Sequence, residues 1–130
     1  MRKLTAVAVA ASAALVGMIA IAPVASAEPN PPDCPRGYAC MFYVDATQGP
    51  AAVKTARNWF GSQPAGIGGS TVFNNGAPQP GRDHIQATWI FEGKTFGRCL
   101  HFNPGPGEYK FVLTRGTTLT SLVWRGECDD

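Results

Sequence analysis

Four cysteines carry the most constrained chemistry in this sequence, because each can form a disulfide bond. Three pairings are possible in principle among Cys34, Cys40, Cys99 and Cys128. Cys34 and Cys40 enclose only Pro-Arg-Gly-Tyr-Ala, so we expect these two to join locally and to leave Cys99 for Cys128. On the loop-entropy relation the two bridges would stabilise the folded chain by roughly 2.4 and 3.6 kcal/mol. We therefore expect a disulfide-stabilised domain from an oxidising compartment.

The two histidines, His84 and His101, are too sparse to indicate a catalytic or metal site. Cys99 lies close to His101, but a zinc site needs free thiolates, and the cysteines are expected in disulfides. The sequence has no G-x-S-x-G or H-E-x-x-H motif, and Asp83-His84 with a distant serine is not a triad. We expect a protein that is not an enzyme and that holds no metal ion and no cofactor.

Three tryptophans allow a different kind of chemistry. Trp59, Trp89 and Trp124 are expected in the core, because each can bury a large apolar side chain there. The alternative is that one of them lies on the surface and stacks on a cell-wall polysaccharide.

The first 27 residues have the features of a secretory signal peptide. Arg2 and Lys3 precede an almost unbroken apolar stretch over 4–22, and Ala25-Ser26-Ala27 is a small-residue cleavage site. The mature chain then begins at Glu28, and we expect the protein to be secreted. Two of the 11 lysines and arginines leave with the leader, so nine face nine acidic residues. A net charge near zero argues against nucleic acid or an acidic membrane as the partner.

Short runs of β-forming residues between turn signals predict a single all-β domain over 34–130, after a flexible proline-rich lead-in at 28–33. Residues 51–60 suit a strand or a short helix, and the glycine-rich stretch 62–70 predicts a loop. Glu92-Gly93-Lys94 predicts a hairpin turn. The strands are predicted at Tyr38–Val44, Thr71–Phe73, Ile85–Phe91, Phe96–Phe102, Tyr109–Leu113 and Leu119–Trp124.

The chain also has the spacing of an internal duplication. Phe42 and Phe91 are 49 residues apart, and Ser70 and Ser121 are 51 apart. Two half-repeats, at about 38–76 and 84–128, would each supply four short strands. This arrangement predicts a β-sandwich of two four-stranded units.

Several short motifs resemble a known family of secreted bacterial proteins. They are CPRGYAC at 34–40 followed by Phe42-Tyr43, FEGKTFGRCLHF at 91–102 and the closing LTSLVW at 119–124. Together they resemble peptidase inhibitor family I36, whose type member is a Streptomyces metalloproteinase inhibitor. The resemblance implies a βγ-crystallin-like Greek-key fold and a peptidase-inhibiting activity.

The resemblance also implies an inhibitory segment, Cys99 to Gly107, in which Cys99-Leu100 is the bond presented to the peptidase and His101 follows it. Leu100 suits thermolysin-like metalloproteases, which favour a bulky apolar residue just after the cut. The chain departs from the pattern at Pro104, where the family has a second cysteine, although Pro104 and Pro106 would also stiffen the loop. Strand alternation offers another interpretation, with Leu100 pointing into the core.

Crystallin-type modules often bind calcium just before the closing strand of each unit. The matching stretches, 65–70 and 116–121, contain no Asp or Asn. Because calcium takes oxygen ligands of this kind, we expect no calcium site there.

We therefore expect a secreted, monomeric peptidase inhibitor that occupies the cleft of a secreted protease, with a metalloprotease favoured. The alternative is a non-catalytic binding module of the cell envelope or of host interaction, or a secreted antagonist, on the same fold.

Overall fold

The structure, a computed structural model, describes residues 27–43 and 49–129. The predicted signal peptide lies outside these residues except for Ala27, as does Val44 at the end of the first predicted strand. No helix among the described residues is long and apolar enough to cross a membrane. The described residues form eight strands, β1 (Tyr38–Tyr43), β2 (Ala51–Thr55), β3 (Trp59–Pro64), β4 (Ser70–Asn75), β5 (His84–Phe91), β6 (Lys94–Leu100), β7 (Lys110–Leu113) and β8 (Thr118–Arg125).

The strands form two antiparallel four-stranded sheets, in the orders β2-β1-β4-β7 and β3-β8-β5-β6. Each half of the chain gives its third strand to the sheet of the other half, so β3 pairs with β8 and β7 pairs with β4. The predicted fold class, an all-β sandwich of two four-stranded units with disulfides, is confirmed.

The β5–β6 hairpin has the turn that the sequence predicts. Phe91 pairs with Lys94, so Glu92 and Gly93 form a two-residue connection, and both have positive φ, at 50° and 74°. Positive φ at both central residues is the geometry that matches the right-handed twist of the flanking strands.

The region from 51 to 75 differs from the prediction in two places. Residues 51–60 contain strand and no helix, and the predicted loop over 62–70 begins only after Pro64. Strand β3 pairs on one side only, with β8, and its register shifts between Phe60 and Gln63. An irregular edge strand tolerates glycine and proline. Because β3 contains Gly61 and Pro64, the sequence of its second half predicts a loop. Strand β4 also continues through Asn74 and Asn75.

The core lies between the two sheets and includes Leu100 with Ile85, Leu119 and Leu122. A second buried cluster, made of Cys34, Cys40, Phe42 and Phe73, packs at the first disulfide. The structure pairs Cys34 with Cys40 and Cys99 with Cys128, as expected from their spacing. Two disulfides are compatible with an extracellular protein.

The lead-in at 28–33, predicted to be flexible, has no strand or helix, and it is hydrogen-bonded to the domain at several points. Glu28 exchanges two hydrogen bonds with the buried Asn103 side chain, and its carboxylate accepts from Tyr109 and Lys110, each at 2.7 Å. The hydrogen bond to Glu28 is the main cause that raises the pKa of Tyr109 to about 12, with burial adding to it. Asp33 forms an ion pair with Lys54 at 2.7 Å.

Candidate functional site

The apolar side chain that follows the predicted inhibitory bond Cys99-Leu100 does not lie on the surface. Leu100 is the last residue of β6, its side chain is 0% exposed, and its carbonyl accepts a hydrogen bond from the Asn74 side chain. Leu100 is paired with Ile85, and strand alternation turns its side chain between the sheets. An apolar side chain that is buried in this way cannot enter a protease pocket. The expectation that Leu100 is the exposed specificity residue is therefore wrong, and the core interpretation holds.

The rest of the predicted inhibitory segment folds back onto the domain. The His101 N–H donates to the Glu108 carbonyl at 2.9 Å, and the Asn103 N–H donates to the Asn74 carbonyl at 3.2 Å. Arg36 donates to the Asn103 carbonyl at 2.9 Å. Cys99 is half-buried and is bonded to Cys128. The segment from Cys99 to Gly107 is thus tied down and presents no large apolar side chain that is fully exposed.

A different loop presents an apolar side chain to solvent. Ile67 lies in the connection 65–69 between β3 and β4, and its side chain is 82% exposed, more than any other large apolar residue that the structure describes. The Gly69 N–H donates to the Gly66 carbonyl at 2.9 Å, which closes a β-turn with Ile67 as its second residue. We call residues 65–69 the Ile67 loop.

Hydrogen bonds fix the Ile67 loop at both ends. The Gly66 N–H donates to the hydroxyl of the buried Ser70 at 3.0 Å, and the Ala65 N–H donates to the Thr117 carbonyl at 2.8 Å. Gly69 has φ of +97°, and a side chain there would meet the Leu113 carbonyl at 3.1 Å. Glycine is therefore needed where the loop enters β4.

A groove with aromatic walls lies between the free edges of the two sheets. Strands β6 and β7 each pair on one side only, and the cavity between them measures about 200 Å³. Trp89 stacks on Phe96, with ring centroids 6.2 Å apart and an interplanar angle of 16°, and also contacts Phe111. The Arg98 guanidinium lies 5.2 Å from the Phe111 ring centroid. This aromatic groove offers apolar faces and one cation to a ligand.

All three tryptophans, which were predicted in the core, are half-buried and pack against it. Trp89 is the one that also lines the aromatic groove. Trp124 lies at a smaller concavity next to Arg82.

The two histidines meet, although they are 17 residues apart in the sequence. His84 Nε2 lies 2.8 Å from His101 Nδ1, and His84 Nδ1 lies 2.7 Å from Asp83 Oδ1. Glu127 Oε2 lies 3.4 Å from His84 Nε2. Burial acts to raise the pKa of the Asp83 carboxyl, but hydrogen bonds from the Gln79 N–H and from His84 outweigh it and leave the pKa below its ordinary value. Asp83 is therefore a carboxylate near neutral pH.

The exposed side chain of the Ile67 loop and the contact between His84 and His101 were not predicted from the sequence, although the sequence contains a signal for each. The signal for the loop was an apolar residue between glycines, within a stretch predicted to be turn-forming. The signal for the histidine contact was the predicted hairpin. Counting outward along its two strands from Glu92-Gly93 places His84 opposite His101.

Comparison of the chain with protein-family models, with curated proteins and with solved structures found no match.

Proposed function

We propose that this protein is a secreted peptidase inhibitor that presents the Gly66-Ile67 bond of the Ile67 loop to the cleft of a metalloprotease. The single observation that supports it most is the 82% exposure of Ile67 on a loop that is hydrogen-bonded at both ends. The proposal keeps the activity that the family resemblance implies and moves the presented bond from Leu100 to Ile67.

The exposed side chain supplies the binding energy in this proposal. Burying an isoleucine side chain contributes about 1.5–3 kcal/mol, and Ile67 offers nearly all of its surface to a partner. Isoleucine is also the type of bulky apolar residue that thermolysin-like enzymes favour just after the cut. Tyr43 and Val112 flank the base of the loop and are themselves 47% and 60% exposed. The loop and its base together form an exposed apolar patch, which is typical of an interaction surface.

The hydrogen bonds explain why such a loop would inhibit rather than be digested. A loop that is already ordered loses little conformational entropy when it enters a cleft, so its binding is tighter than that of a flexible substrate. If the Gly66-Ile67 bond were hydrolysed, Gly66 would stay bonded to Ser70, and Ile67 would stay joined to the buried strand β4. The cleaved ends would remain in place and leave the cleft slowly.

The test is a titration of the oxidised protein against a thermolysin-like metalloprotease and a subtilisin-like serine protease. We expect stoichiometric inhibition of the metalloprotease, and we expect Ile67→Asp to weaken it by about 30-fold or more, as for the loss of a 2 kcal/mol hot spot. Phe60→Asp is the matched control, because Phe60 is 72% exposed and lies at the far end of β3. Equal inhibition by the parent protein and Ile67→Asp would overturn the proposal.

The aromatic groove supports a second candidate function, a binding module that stacks on a glycan of the cell envelope. The stacked Trp89 and Phe96 rings line an open groove, and sugar rings bind to such faces. Titration with soluble cell-wall fragments, followed by tryptophan fluorescence, would show saturable quenching that Phe96→Ala removes and Phe60→Ala retains. Unchanged fluorescence at saturating glycan would exclude this candidate.

A further inference from the structure

We propose that His84 and His101 form an acid-sensitive switch. When both rings are charged, His84 Nε2 exchanges its hydrogen bond to His101 for one to Glu127, and the loop after β6 opens. In the structure, His84 Nε2 lies 2.8 Å from His101 Nδ1 and 3.4 Å from Glu127 Oε2. We call the two residues the histidine pair and residues 101–109 the histidine loop. The proposal is independent of peptidase inhibition, because the Ile67 loop contributes none of these groups.

Asp83 determines where the protons of the neutral pair lie. Its carboxylate can only accept, so the 2.7 Å contact with His84 requires a proton on His84 Nδ1. The neutral His84 ring then has its lone pair on Nε2, and His101 Nδ1 donates to it at 2.8 Å. A first added proton binds at His101 Nε2, the ring nitrogen outside this chain of hydrogen bonds. Both contacts are therefore retained when one ring is charged.

The contact between the two rings cannot survive a second proton. A charged imidazole has an N–H at both nitrogens, so the Nε2–H of His84 would face the Nδ1–H of His101. Two donors cannot form a hydrogen bond across 2.8 Å, and the two positive charges repel each other. The rings must then separate.

Glu127 gives His84 a new partner, so His101 is the ring that moves. The His84 side chain is 2% exposed and stays bonded to Asp83, whereas His101 is half-buried. The Glu127 carboxylate is 84% exposed and needs to approach His84 Nε2 by only about half an ångström to accept its proton. The disulfide between Cys99 and Cys128 holds Glu127 beside His84 in either state.

The histidine loop depends on the position of the His101 ring. Gly107, with φ of +104°, packs so closely on this ring that any side chain at position 107 would overlap it. The His101 N–H donates to the Glu108 carbonyl at 2.9 Å, and the Asn103 N–H donates to the Asn74 carbonyl at 3.2 Å. Departure of the ring removes the packing on Gly107, and we expect these two hydrogen bonds to open with it.

The other charged groups on the segments around the pair have partners of their own. These groups are Arg36, Glu108, Arg125 and Asp129. Arg125, which lies opposite His84 on β8, donates to Gln86 and pairs with Asp129 at 3.2 Å. Glu108 pairs with Arg98, and Arg36 donates to the Asn103 carbonyl. Among the described residues, Asp83 and Glu127 are the charged groups within 4.0 Å of a histidine nitrogen.

Backbone amide hydrogen exchange of the oxidised protein tests the proposal between about pH 8 and pH 5, where histidine changes its charge. Glu28 and Asp83 stay ionised in this range, because their pKa values lie below the ordinary ones, of which the higher is 4.5. The open state binds one more proton, so its population rises as the pH falls. After correction for the intrinsic exchange rate, protection of the His101 and Asn103 amides should fall about tenfold or more. Protection of the β1 amides should not change.

Three variants separate the switch from other effects of acid. His101→Phe keeps a ring of similar shape without nitrogens, so protection of the histidine loop should no longer depend on pH in this range. Glu127→Gln removes the charged acceptor, so the loop should open at a lower pH than in the parent protein. Glu92→Gln is the matched control, since it removes an exposed carboxylate at the other end of the hairpin, and it should behave as the parent protein does.

Nitrogen NMR of the imidazole rings supplies a readout that does not depend on variants. At about pH 8 we expect the proton of His84 on Nδ1 and an unprotonated Nε2 that accepts from His101. A proton on His84 Nε2 at this pH would overturn the proposal, and so would unchanged protection of the His101 and Asn103 amides down to about pH 5. An equal loss of protection in His101→Phe would also overturn it, because other groups would then open the loop.

Discussion

The direction in which single side chains point decides which residues of this protein can meet a partner. Leu100 and Ile67 are both bulky and apolar, yet one is 0% and the other 82% exposed. Leu100 is in a paired strand that faces the opposite sheet, whereas Ile67 is at the second position of a turn. The residue type alone therefore could not tell which of the two side chains is exposed, because exposure depends on the pairing of distant strands.

Leu100→Ala should show whether Leu100 acts in the core or in inhibition. The substitution leaves a cavity between the sheets, so we expect the free energy of unfolding to fall by about 2–5 kcal/mol. Inhibition per folded molecule should be unchanged, because Leu100 does not contact the partner in our proposal. Chemical denaturation and active-site titration measure the two effects. A large loss of inhibition at unchanged stability would return the presented bond to Leu100.

Stability should fall in acid, because three carboxyl groups have lowered pKa values. Burial acts to raise the pKa of Glu28, but hydrogen bonds from Lys110 and Tyr109 outweigh it. The pKa of Asp83 is lowered in spite of burial, and that of Asp33 is lowered first by its hydrogen bond from Lys54. These groups bind protons more weakly in the folded state than in the unfolded state. Their contribution to the free energy of unfolding is complete above their ordinary pKa values, of which the highest is 4.5. It is lost as the pH falls through the lowered pKa values of the folded state.

Glu28→Gln tests this assignment. The unfolding free energy of the parent protein should decrease as the pH falls below about 4.5, and the variant should show a smaller decrease over the same range. Unfolding by denaturant at a series of pH values gives the slope of the unfolding free energy against pH. An unchanged slope in Glu28→Gln would contradict the role given to its hydrogen bonds, and Glu92→Gln is the matched exposed control.

Among the strands and turns, the sequence predicts those that are specified by residues close together in the chain. The β5–β6 hairpin follows from a turn at Glu92-Gly93 between two β-forming runs, and the structure confirms it. Strand β3 was missed because its pairing with β8 is long-range, and its own residues include Gly61 and Pro64. Counting along the hairpin would have placed the two histidines together, whereas nothing local places Glu127 beside His84.

The Cys99–Cys128 disulfide ties the end of the hairpin to the C-terminal segment. Replacing both cysteines by serine opens a loop between residues 29 apart, and we expect a loss of roughly 3.6 kcal/mol in the free energy of unfolding. Thermal and denaturant unfolding of the double variant measure it. A change below about 1 kcal/mol would mean that the hairpin and β8 hold the segment without the bridge.

At the scale of the whole molecule, the exchange of third strands joins the two halves into one folding unit. Strand β3 completes the sheet of the second half, and β7 completes that of the first. The two half-repeats were predicted from sequence spacing, but the exchange was not, because periodicity carries no information on which sheet a strand joins.

This exchange predicts a single cooperative unfolding transition. Fragments 27–76 and 84–130, produced separately, should each lack the strand that the other half adds to its sheet, β7 or β3, and remain unfolded by circular dichroism, while the whole chain unfolds in one step. Two separate transitions in the whole chain, or a folded isolated fragment, would show that each half is stable alone.

Active-site titration of a thermolysin-like metalloprotease with the oxidised parent protein and with Ile67→Asp tests the proposed inhibition most directly. The proposal predicts stoichiometric inhibition by the parent protein and an inhibition constant about 30-fold or more higher for the variant. Absence of inhibition by the parent protein, or inhibition that Ile67→Asp leaves intact, would contradict it.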